Sequence, residues 1–371
     1  MSVRLKEISI TGYKTIRELH RFAPRSLNVL IGVNAAGKSN FISVFRFLQW
    51  MLTPPGQLQI HVRENGGASS FLHYGPERTK EITAHLELET ESGINEYAFR
   101  LFHVAGDTFA FAEERYRYSW ADSVRRAPWI SLTPGSLEAG LNARAEEGDK
   151  TARAINGIIR SCVVHQFHNT SLTSRMKWRW NVEDNYRLKE DAANLGPFLL
   201  RLREQESAAY QRIVETVRLV FPLFSDFELN VVGGTMMLQW KEKGSDVVFS
   251  SHQAADGLLR FFAMAALLLQ PAATMPGVLV IDEPELGLHP HALEVLGGLL
   301  HKASTSTQVI VSTQSVPLLS QFEPDDVVAV ERRDGASHFQ RLSADKLAAW
   351  LDDYTLGELW QKNYIEGASN G

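Results

Sequence analysis

The 371-residue sequence predicts an α/β fold with a mixed sheet, an antiparallel β-subdomain and a helical insertion. One observation is a glycine-rich stretch, residues 32–39, between a predicted strand and a predicted helix. Another is an apolar strand at residues 278–281 that ends in two adjacent carboxylates. A third is the alternation of apolar and polar residues over residues 82–111, which is typical of antiparallel hairpins rather than βαβ units.

The remaining elements follow from local pattern. Alternation predicts a strand near the start of the chain, and helical spacing of apolar residues predicts a helix directly after the glycine-rich stretch. In chain order the predicted elements are strands at 4–10 and 27–31, a helix at 38–52 stopped by residues 53–56, helical structure over 194–221, a helix ending at 270, a strand at 278–281, a helix at 291–304 and a strand at 308–312. They divide the chain into lobe I (1–115), a mostly helical insertion (116–249) and lobe II (250–371).

Composition places the chain among ordinary globular proteins, with 44% hydrophobic and 22% charged residues. A net charge of −5 argues against a general nucleic-acid coat but allows a local basic patch. A single cysteine, Cys162, excludes an intrachain disulfide and a Cys-based zinc site, which fits a reducing compartment. The longest apolar stretch, residues 258–269, is broken by Arg260 and is too short for a bilayer, and the start has no signal-peptide pattern. We therefore expect a soluble cytoplasmic protein with no membrane partner.

The glycine-rich stretch matches the P-loop pattern in the strand–helix context that the motif demands. Its glycines let the backbone fold around phosphate, while N–H groups at the start of the helix point at the anion. Lys38 is expected to bridge the β- and γ-phosphates of ATP, and the Ser39 hydroxyl to bind Mg²⁺. The predicted nucleotide-binding residues are Gly32, Asn34, Ala35, Ala36, Gly37, Lys38, Ser39 and Asn40.

The carboxylate pair Asp282 and Glu283 lies where an α/β sheet presents its ligands, at the end of a strand. Asp282 is expected to hold Mg²⁺ through water, and Glu283 to orient or deprotonate the attacking water. Taken alone, the pair is more simply an Asp-Glu turn after a core strand. Beside a P-loop, the charge of a bound Mg²⁺ explains why two carboxylates share one site.

Asp256 and Gly257 precede the apolar helix of residues 258–269 and lie 25 residues before Asp282. A glycine at the opening of a helix leaves backbone N–H groups free and approachable. This segment is therefore a second candidate anion site.

In this order, the P-loop, the Asp-Gly helix start, the Asp-Glu-Pro segment and a later Thr-Gln-Ser resemble the ABC-type ATPases of the SMC, RecF and OLD group. More narrowly, the chain resembles compact bacterial RecF-like AAA-class ATPases without a long coiled coil. The matching stretches are residues 12–16, 282–290, 312–315 and 350–360. The resemblance covers the whole chain but is thin over residues 115–248.

The resemblance implies a P-loop NTPase of the ABC-ATPase head type that binds two ATP molecules between two copies of the chain. Asp256 and Gly257 would form the signature motif, which reaches across a head-to-tail dimer to the partner's γ-phosphate. Ala255 stands where the family usually has serine, so one hydroxyl donor is missing. Residues 285–290 would form the D-loop at the centre of the dimer.

The resemblance also implies roles near the attacking water. Gln314 stands where many ABC ATPases carry a switch histidine, and because an amide cannot take a proton, Glu283 is left as the base. Gln166 is a candidate for the Q-loop residue that links the nucleotide to an inserted lobe. A buried polar residue of a strand explains Gln166 equally well.

Two further clusters favour structural roles. His165, His168 and Glu183 are better explained as core or surface residues than as metal ligands. The alternation of cations and tryptophans over residues 175–180 resembles a basic-aromatic nucleic-acid patch, but an exposed strand face explains it better.

RecF- and OLD-like relatives imply DNA binding, DNA repair or defence against phage, with a separately encoded effector such as a nuclease as partner. This assignment of a biological role is analogy. Two other functions fit the motifs: the ATPase subunit of a transporter, and a non-catalytic ATP-binding scaffold. The absence of the signature serine and the switch histidine argues against the transporter and favours the scaffold.

Overall fold

The computed structural model describes residues 3–53, 57–121, 123 and 125–365. The predicted helix stop at Pro54 and Pro55 lies outside these residues. The strands are β1 (Val3–Tyr13), β2 (Ile16–Phe22), β3 (Leu27–Ile31), β4 (Glu81–Thr90), β5 (Gly93–Val104), β6 (Thr108–Trp120), β7 (Ile130–Ser131), β8 (Cys162–His165), β9 (Trp180–Asn181), β10 (Phe224–Phe227), β11 (Thr235–Met236), β12 (Gln239–Glu242), β13 (Val248–Ser250), β14 (Val278–Asp282), β15 (Gln308–Thr313), β16 (Val327–Arg333) and β17 (Ala336–Arg341). The helices are α1 (Lys38–Met51), α2 (Leu58–Glu64), α3 (Gly140–Glu146), α4 (Lys150–Arg160), α5 (Leu195–Gln205), α6 (Ser207–Val220), α7 (Asp256–Leu269), α8 (Pro290–Ser304), α9 (Val316–Leu319), α10 (Ala344–Leu351) and α11 (Leu356–Gln361).

A mixed six-stranded sheet forms the centre of the molecule, with strand order β17-β16-β3-β15-β14-β8. All neighbouring pairs are parallel except β16 with β17. Every residue of β3 and β14 is buried, as expected for parallel strands covered on both faces. Alternate residues enter opposite cores: Leu279 packs with the α7 side, and Val280 with the α1 side.

An antiparallel sheet of order β2-β1-β4-β5-β6-β7 forms a second layer. Its apolar side chains, such as Ile8 and Leu86, share one core with the buried face of α1, which includes Phe41 and Phe45. Helix α1 therefore packs against both sheets. This arrangement confirms the predicted α/β class with an antiparallel β-subdomain.

The sequence predicts a mostly helical insertion over residues 116–249. It contains α3 to α6, but β8 within it is an edge strand of the central sheet, paired in parallel with β14. A buried parallel strand of four residues has no alternation that would reveal it in the sequence. The predicted helical run 194–221 is two helices, since Glu206 has non-helical backbone angles of φ −138° and ψ 49°.

None of the helices in the described part of the chain is long and apolar enough to cross a membrane.

Candidate nucleotide site

Four loops meet at one edge of the central sheet, because each follows one of the adjacent parallel strands β3, β15, β14 and β8. The glycine-rich stretch follows β3, and Gln314 follows β15. Glu283 follows β14, and Gln166 follows β8. The carboxyl edge of a parallel sheet is where α/β proteins bind ligands, so the topology brings the separately predicted residues together.

The backbone of the glycine-rich loop requires its glycines. Gly37 has φ +116°, and a Cβ placed there would lie 2.0 Å from the Ser337 Oγ atom. A Cβ on Gly32 would lie 2.3 Å from the carbonyl oxygen of Val330. Ala35 also has a positive φ, +65°, at the exposed turn of the loop. The loop thus fits closely against β16 and β17.

Lys38 begins helix α1 and is only 5% exposed. Its Nζ atom donates to the backbone oxygen of Gly32 at 2.6 Å and to that of Val33 at 3.3 Å. Burial lowers the pKa of Lys38, while nearby carboxylates, led by Glu283, oppose that shift. A buried ammonium group held by two loop carbonyls is a ready partner for phosphate oxygens.

The first turn of α1 has no side-chain cap, which leaves its backbone N–H groups free for a ligand. Ser39 is exposed there. The Asn40 side chain is directed toward segment 12–16, where its Nδ2 atom donates to the Thr15 hydroxyl at 2.8 Å. The Ser337 hydroxyl donates to the same Thr15 oxygen at 2.7 Å, so the segment 12–16 supports the loop.

Asp282 is 3% exposed and is held at both carboxylate oxygens. Oδ1 accepts a hydrogen bond from the Ser312 hydroxyl, and Oδ2 accepts one from Gln166 Nε2 at 2.7 Å. His168 Nε2 donates to the Asp282 backbone oxygen at 3.0 Å. The carboxylate is therefore held rigidly at the end of β14.

Glu283 has a left-handed backbone, φ +47°, which is a strained conformation for this residue type. Its Oε1 atom accepts from Gln314 Nε2 at 2.9 Å, and its Oε2 atom lies 3.9 Å from His168 Nε2. Gln314 is itself fixed, because its backbone N–H donates to Glu285 Oε1 at 2.8 Å. Backbone strain and two flanking side chains aim the Glu283 carboxylate.

Three carboxylates lie near the Lys38 ammonium group. Asp282, Glu283 and Glu285 all act electrostatically on Lys38. Burial raises the pKa of Glu285, and its Oε2 atom has no hydrogen-bond partner. Carboxylate and hydroxyl oxygens, from Asp282 and Ser39, are the ligands that a hard divalent cation prefers. The donor chemistry therefore fits Mg²⁺.

The predicted signature residues lie at the start of α7, with Ala255 and Asp256 exposed and no side chain capping the helix. A Cβ on Gly257 would lie 2.2 Å from the backbone oxygen of Gly287, so α7 packs directly on the segment that follows the carboxylate pair. Neither Asp256 nor Gly257 forms a hydrogen bond or ion pair with residues 32–40 of the same chain, all of which the structure describes.

Three residues of the site were missed by sequence reasoning in this role. Arg46 Nη2 donates to Gln166 Oε1 at 2.6 Å, which orients the amide toward Asp282. Arg260 donates to the backbone oxygens of Phe167 and His168. His168, assigned above to a core or surface position, donates to the backbone oxygen of Asp282 and lies 3.9 Å from Glu283 Oε2. Its only sequence signal is its position two residues after Gln166.

The segment 175–180 is a 3₁₀ turn followed by the two-residue strand β9, so the predicted exposed strand face is wrong. Lys177 is buried, and the guanidinium of Arg175 and the ammonium of Lys189 lie 4.7 and 5.3 Å from the ring centre of Trp180. Arg175, Lys177 and Lys189 are therefore engaged within the chain.

His85, Glu87 and Glu96 are the residues in the described chain whose side chains cluster at metal-binding distances. Arg117 and Arg126 pair with Glu96 at 2.7 and 2.9 Å. Those arginines supply the positive charge that a metal ion would bring, so the cluster is an ion-pair network.

A family model described as "AAA domain, putative AbiEii toxin, Type IV TA system" matches residues 27–320. No curated protein sequence matches the chain.

Three solved structures are similar in fold. An SMC head bound to the C-winged helix domain of ScpA has a TM-score of 0.60 and 14% identity, covering 93% of this chain and 99% of that chain. The SMC head domain from Thermotoga maritima has a TM-score of 0.51 and 14% identity, covering 92% and 99%. An SMC head with an extended coiled coil, bound to the C-terminal domain of ScpA derived from Pyrococcus furiosus, has a TM-score of 0.58 and 13% identity, covering 95% and 99%. These similarities show the fold of an SMC head.

Proposed function

The chain belongs to this AAA-domain family, and from that premise we propose that it binds and hydrolyses Mg-ATP as a head-to-tail dimer. The observation that carries the proposal is the hydrogen bond of 2.9 Å between Gln314 and Glu283, beside the buried Asp282 and at the same sheet edge as Lys38. ATP hydrolysis needs an oriented carboxylate close to a phosphate-binding loop that carries a lysine, and Glu283 and Lys38 provide this arrangement.

Each residue has a distinct role in the proposal. Lys38 and the free N–H groups of α1 bind the β- and γ-phosphates. Ser39 and Asp282 hold Mg²⁺, which when bound neutralises phosphate charge. Glu283 accepts a proton from the attacking water, and Gln314 keeps the carboxylate in place, since an amide cannot take the proton itself.

The second half of each site comes from the partner chain in this proposal. Ala255 and Asp256 are exposed at the uncapped start of α7, where N–H groups are available to an anion. Without the usual serine hydroxyl, backbone donors alone contact the γ-phosphate. We therefore expect weaker closure of the dimer than in relatives with serine at this position.

We further propose that ATP binding gates DNA-related activity or a separately encoded effector, such as a nuclease, in DNA repair or anti-phage defence in the cytoplasm. The family description, which names a toxin of a toxin–antitoxin system, supports a defensive role. The second candidate is a non-catalytic ATP-binding scaffold, which the alanine at position 255 favours.

Phosphate release separates the two candidates. Glu283→Gln keeps the shape of the side chain but loses its basicity, so ATP should bind as in the wild type while turnover falls by about a hundredfold or more. Glu294→Gln, on the exposed surface of α8, is the matched control and should hydrolyse ATP normally. Lys38→Ala should abolish ATP binding in calorimetry. Wild-type turnover in the Glu283→Gln variant would contradict the mechanism, and no turnover by the wild type would favour the scaffold.

A further inference from the structure

Three adjoining cavities form a groove along the amino-terminal edge of the central sheet, opposite the nucleotide site. Their volumes are about 570, 40 and 380 Å³, and Met275 lines all three. Ser26, Ser161, Gly277 and Thr307 directly precede strands β3, β8, β14 and β15 and line the largest cavity. We call these three cavities together the basal groove.

Five cations from five segments of the chain line the basal groove: Arg4 of β1, Arg153 of α4, Arg187, Arg212 of α6 and Lys302 of α8. All five are exposed. Within the described ranges, none of them forms an ion pair with a carboxylate, and no Asp or Glu lines the three cavities. In a chain of net charge −5, this is a concentrated region of positive potential.

The lining chemistry favours the backbone of a nucleic acid over an acidic protein. A protein partner is usually anchored by large apolar or aromatic residues at the centre of the interface. The large apolar residues that line the basal groove, such as Val3, Val163 and Met275, are half-buried or buried, and none of the fully exposed ones on the described surface lies there. Arginine, lysine and serine or threonine hydroxyls, such as those of Ser26 and Ser306, are the groups that contact phosphate and sugar.

The groove also distinguishes a duplex from a single strand. Single strands are held by stacking of bases on aromatic rings. No Phe, Tyr or Trp of the described residues lines the basal groove. Contacts are therefore confined to the phosphodiester backbone, which carries no sequence information by itself.

We propose that the basal groove binds the sugar–phosphate backbone of duplex DNA without sequence specificity, at the edge of the sheet opposite the nucleotide. The proposal deepens the DNA-related arm of the proposed function and rests on it for the choice of DNA as partner. The groove and the nucleotide site are joined through the sheet itself, since the same four strands begin at one and end at the other.

The test measures binding of the full-length protein to a short mixed-sequence duplex by fluorescence anisotropy, without nucleotide, over a range of salt concentrations. The groove variant combines Arg153→Gln, Arg212→Gln and Lys302→Gln. Its matched control combines Arg17→Gln, Arg63→Gln and Lys346→Gln, three exposed cations outside the groove. Both triple variants change the net charge equally, from −5 to −8 (−5 − 3). Circular dichroism and thermal melting check that both fold.

We expect the groove variant to bind the duplex at least about tenfold more weakly and to lose about three from the slope of log K against log salt. The control variant should keep the affinity and the slope of the wild type. Equal losses in both variants, or none in either, would overturn the groove assignment. Tighter binding of a single strand, or binding of poly-L-glutamate but not the duplex, would overturn duplex DNA as the occupant.

ATP hydrolysis measured on the same preparations keeps the two proposals separate. If the wild type binds duplex through the groove but hydrolyses no ATP, the ATPase proposal fails and the groove assignment stands. If hydrolysis is normal and groove-dependent binding is absent, the groove assignment fails alone.

Discussion

Arg260 joins three segments of the candidate site through its guanidinium group. Its guanidinium donates to the backbone oxygens of Phe167 at 3.0 Å, His168 at 2.8 Å and Leu286 at 2.9 Å. A hydrogen bond from a charged donor contributes about 1.5–3 kcal/mol. Because the bond to Leu286 is exposed, water largely replaces it when the guanidinium is removed. The two part-buried bonds to Phe167 and His168, each at the lower value, therefore set the expected loss. We expect Arg260→Met to lower the free energy of unfolding by about 3 kcal/mol.

Urea unfolding of the full-length protein measures this change, and phosphate release measures its effect on the site. Arg203→Met, on the exposed surface of α5, is the matched control and should stay within about 0.5 kcal/mol of the wild type. Turnover should fall more than ATP affinity in Arg260→Met, because the released segments flank the carboxylate pair rather than the P-loop. Unchanged stability together with unchanged turnover would refute the role assigned to Arg260.

Three further substitutions test other parts of the site. In Gly257→Ala the new methyl group would lie 2.2 Å from the backbone oxygen of Gly287, so turnover measured by phosphate release should fall at least about tenfold. The control Gly298→Ala should behave as the wild type, because no atom lies within 4 Å of the added methyl group. Gln166→Leu removes the hydrogen-bond donor to the Asp282 carboxylate, so Mg²⁺-dependent turnover should fall about ten- to hundredfold. The affinity for ATP measured by calorimetry in EDTA should stay unchanged. Turnover equal to that of the wild type would contradict this role of Gln166. Burial lowers the pKa of His165 from 6.5 to about 4, so the unfolded chain takes up a proton first as pH falls. Between pH 6.5 and 4 this histidine should therefore lower the unfolding free energy of the wild type by up to about 3 kcal/mol, and His165→Gln should lose that much less in urea titrations at each pH.

The elements that carry consecutive site residues could be predicted from the sequence. Strands β3 and β14 and helix α1 lie where the apolar runs and the helical spacing predict them. Loops that bind phosphate need several residues in succession, so their pattern is visible locally. The contact between Gln314 and Glu283 could also be predicted, because each residue directly follows one of two neighbouring strands.

Contacts between distant segments could not be predicted in the same way. Arg260 lies within an apolar helix, where the sequence shows only an interruption, and its partners are about 93 and 26 residues away in the chain. His168 gains its role from the backbone of Asp282, which no spacing encodes. The five cations of the basal groove come from five separate segments, and a net charge of −5 gives no indication that they meet.

A mixing experiment tests the shared nucleotide site most directly. Ala255→Glu adds a carboxylate at an exposed position that should face the partner's γ-phosphate, without disturbing its own chain, and Ala255→Gln is its uncharged control. Lys38→Ala and Ala255→Glu should each be inactive alone, because the first cannot hold ATP and the second repels it. Mixed, they should recover up to about a quarter of wild-type phosphate release, since half of randomly paired dimers are mixed and each has one intact site. A mixture no more active than its components, or full specific activity in wild-type protein that light scattering shows to be monomeric, would contradict the shared site.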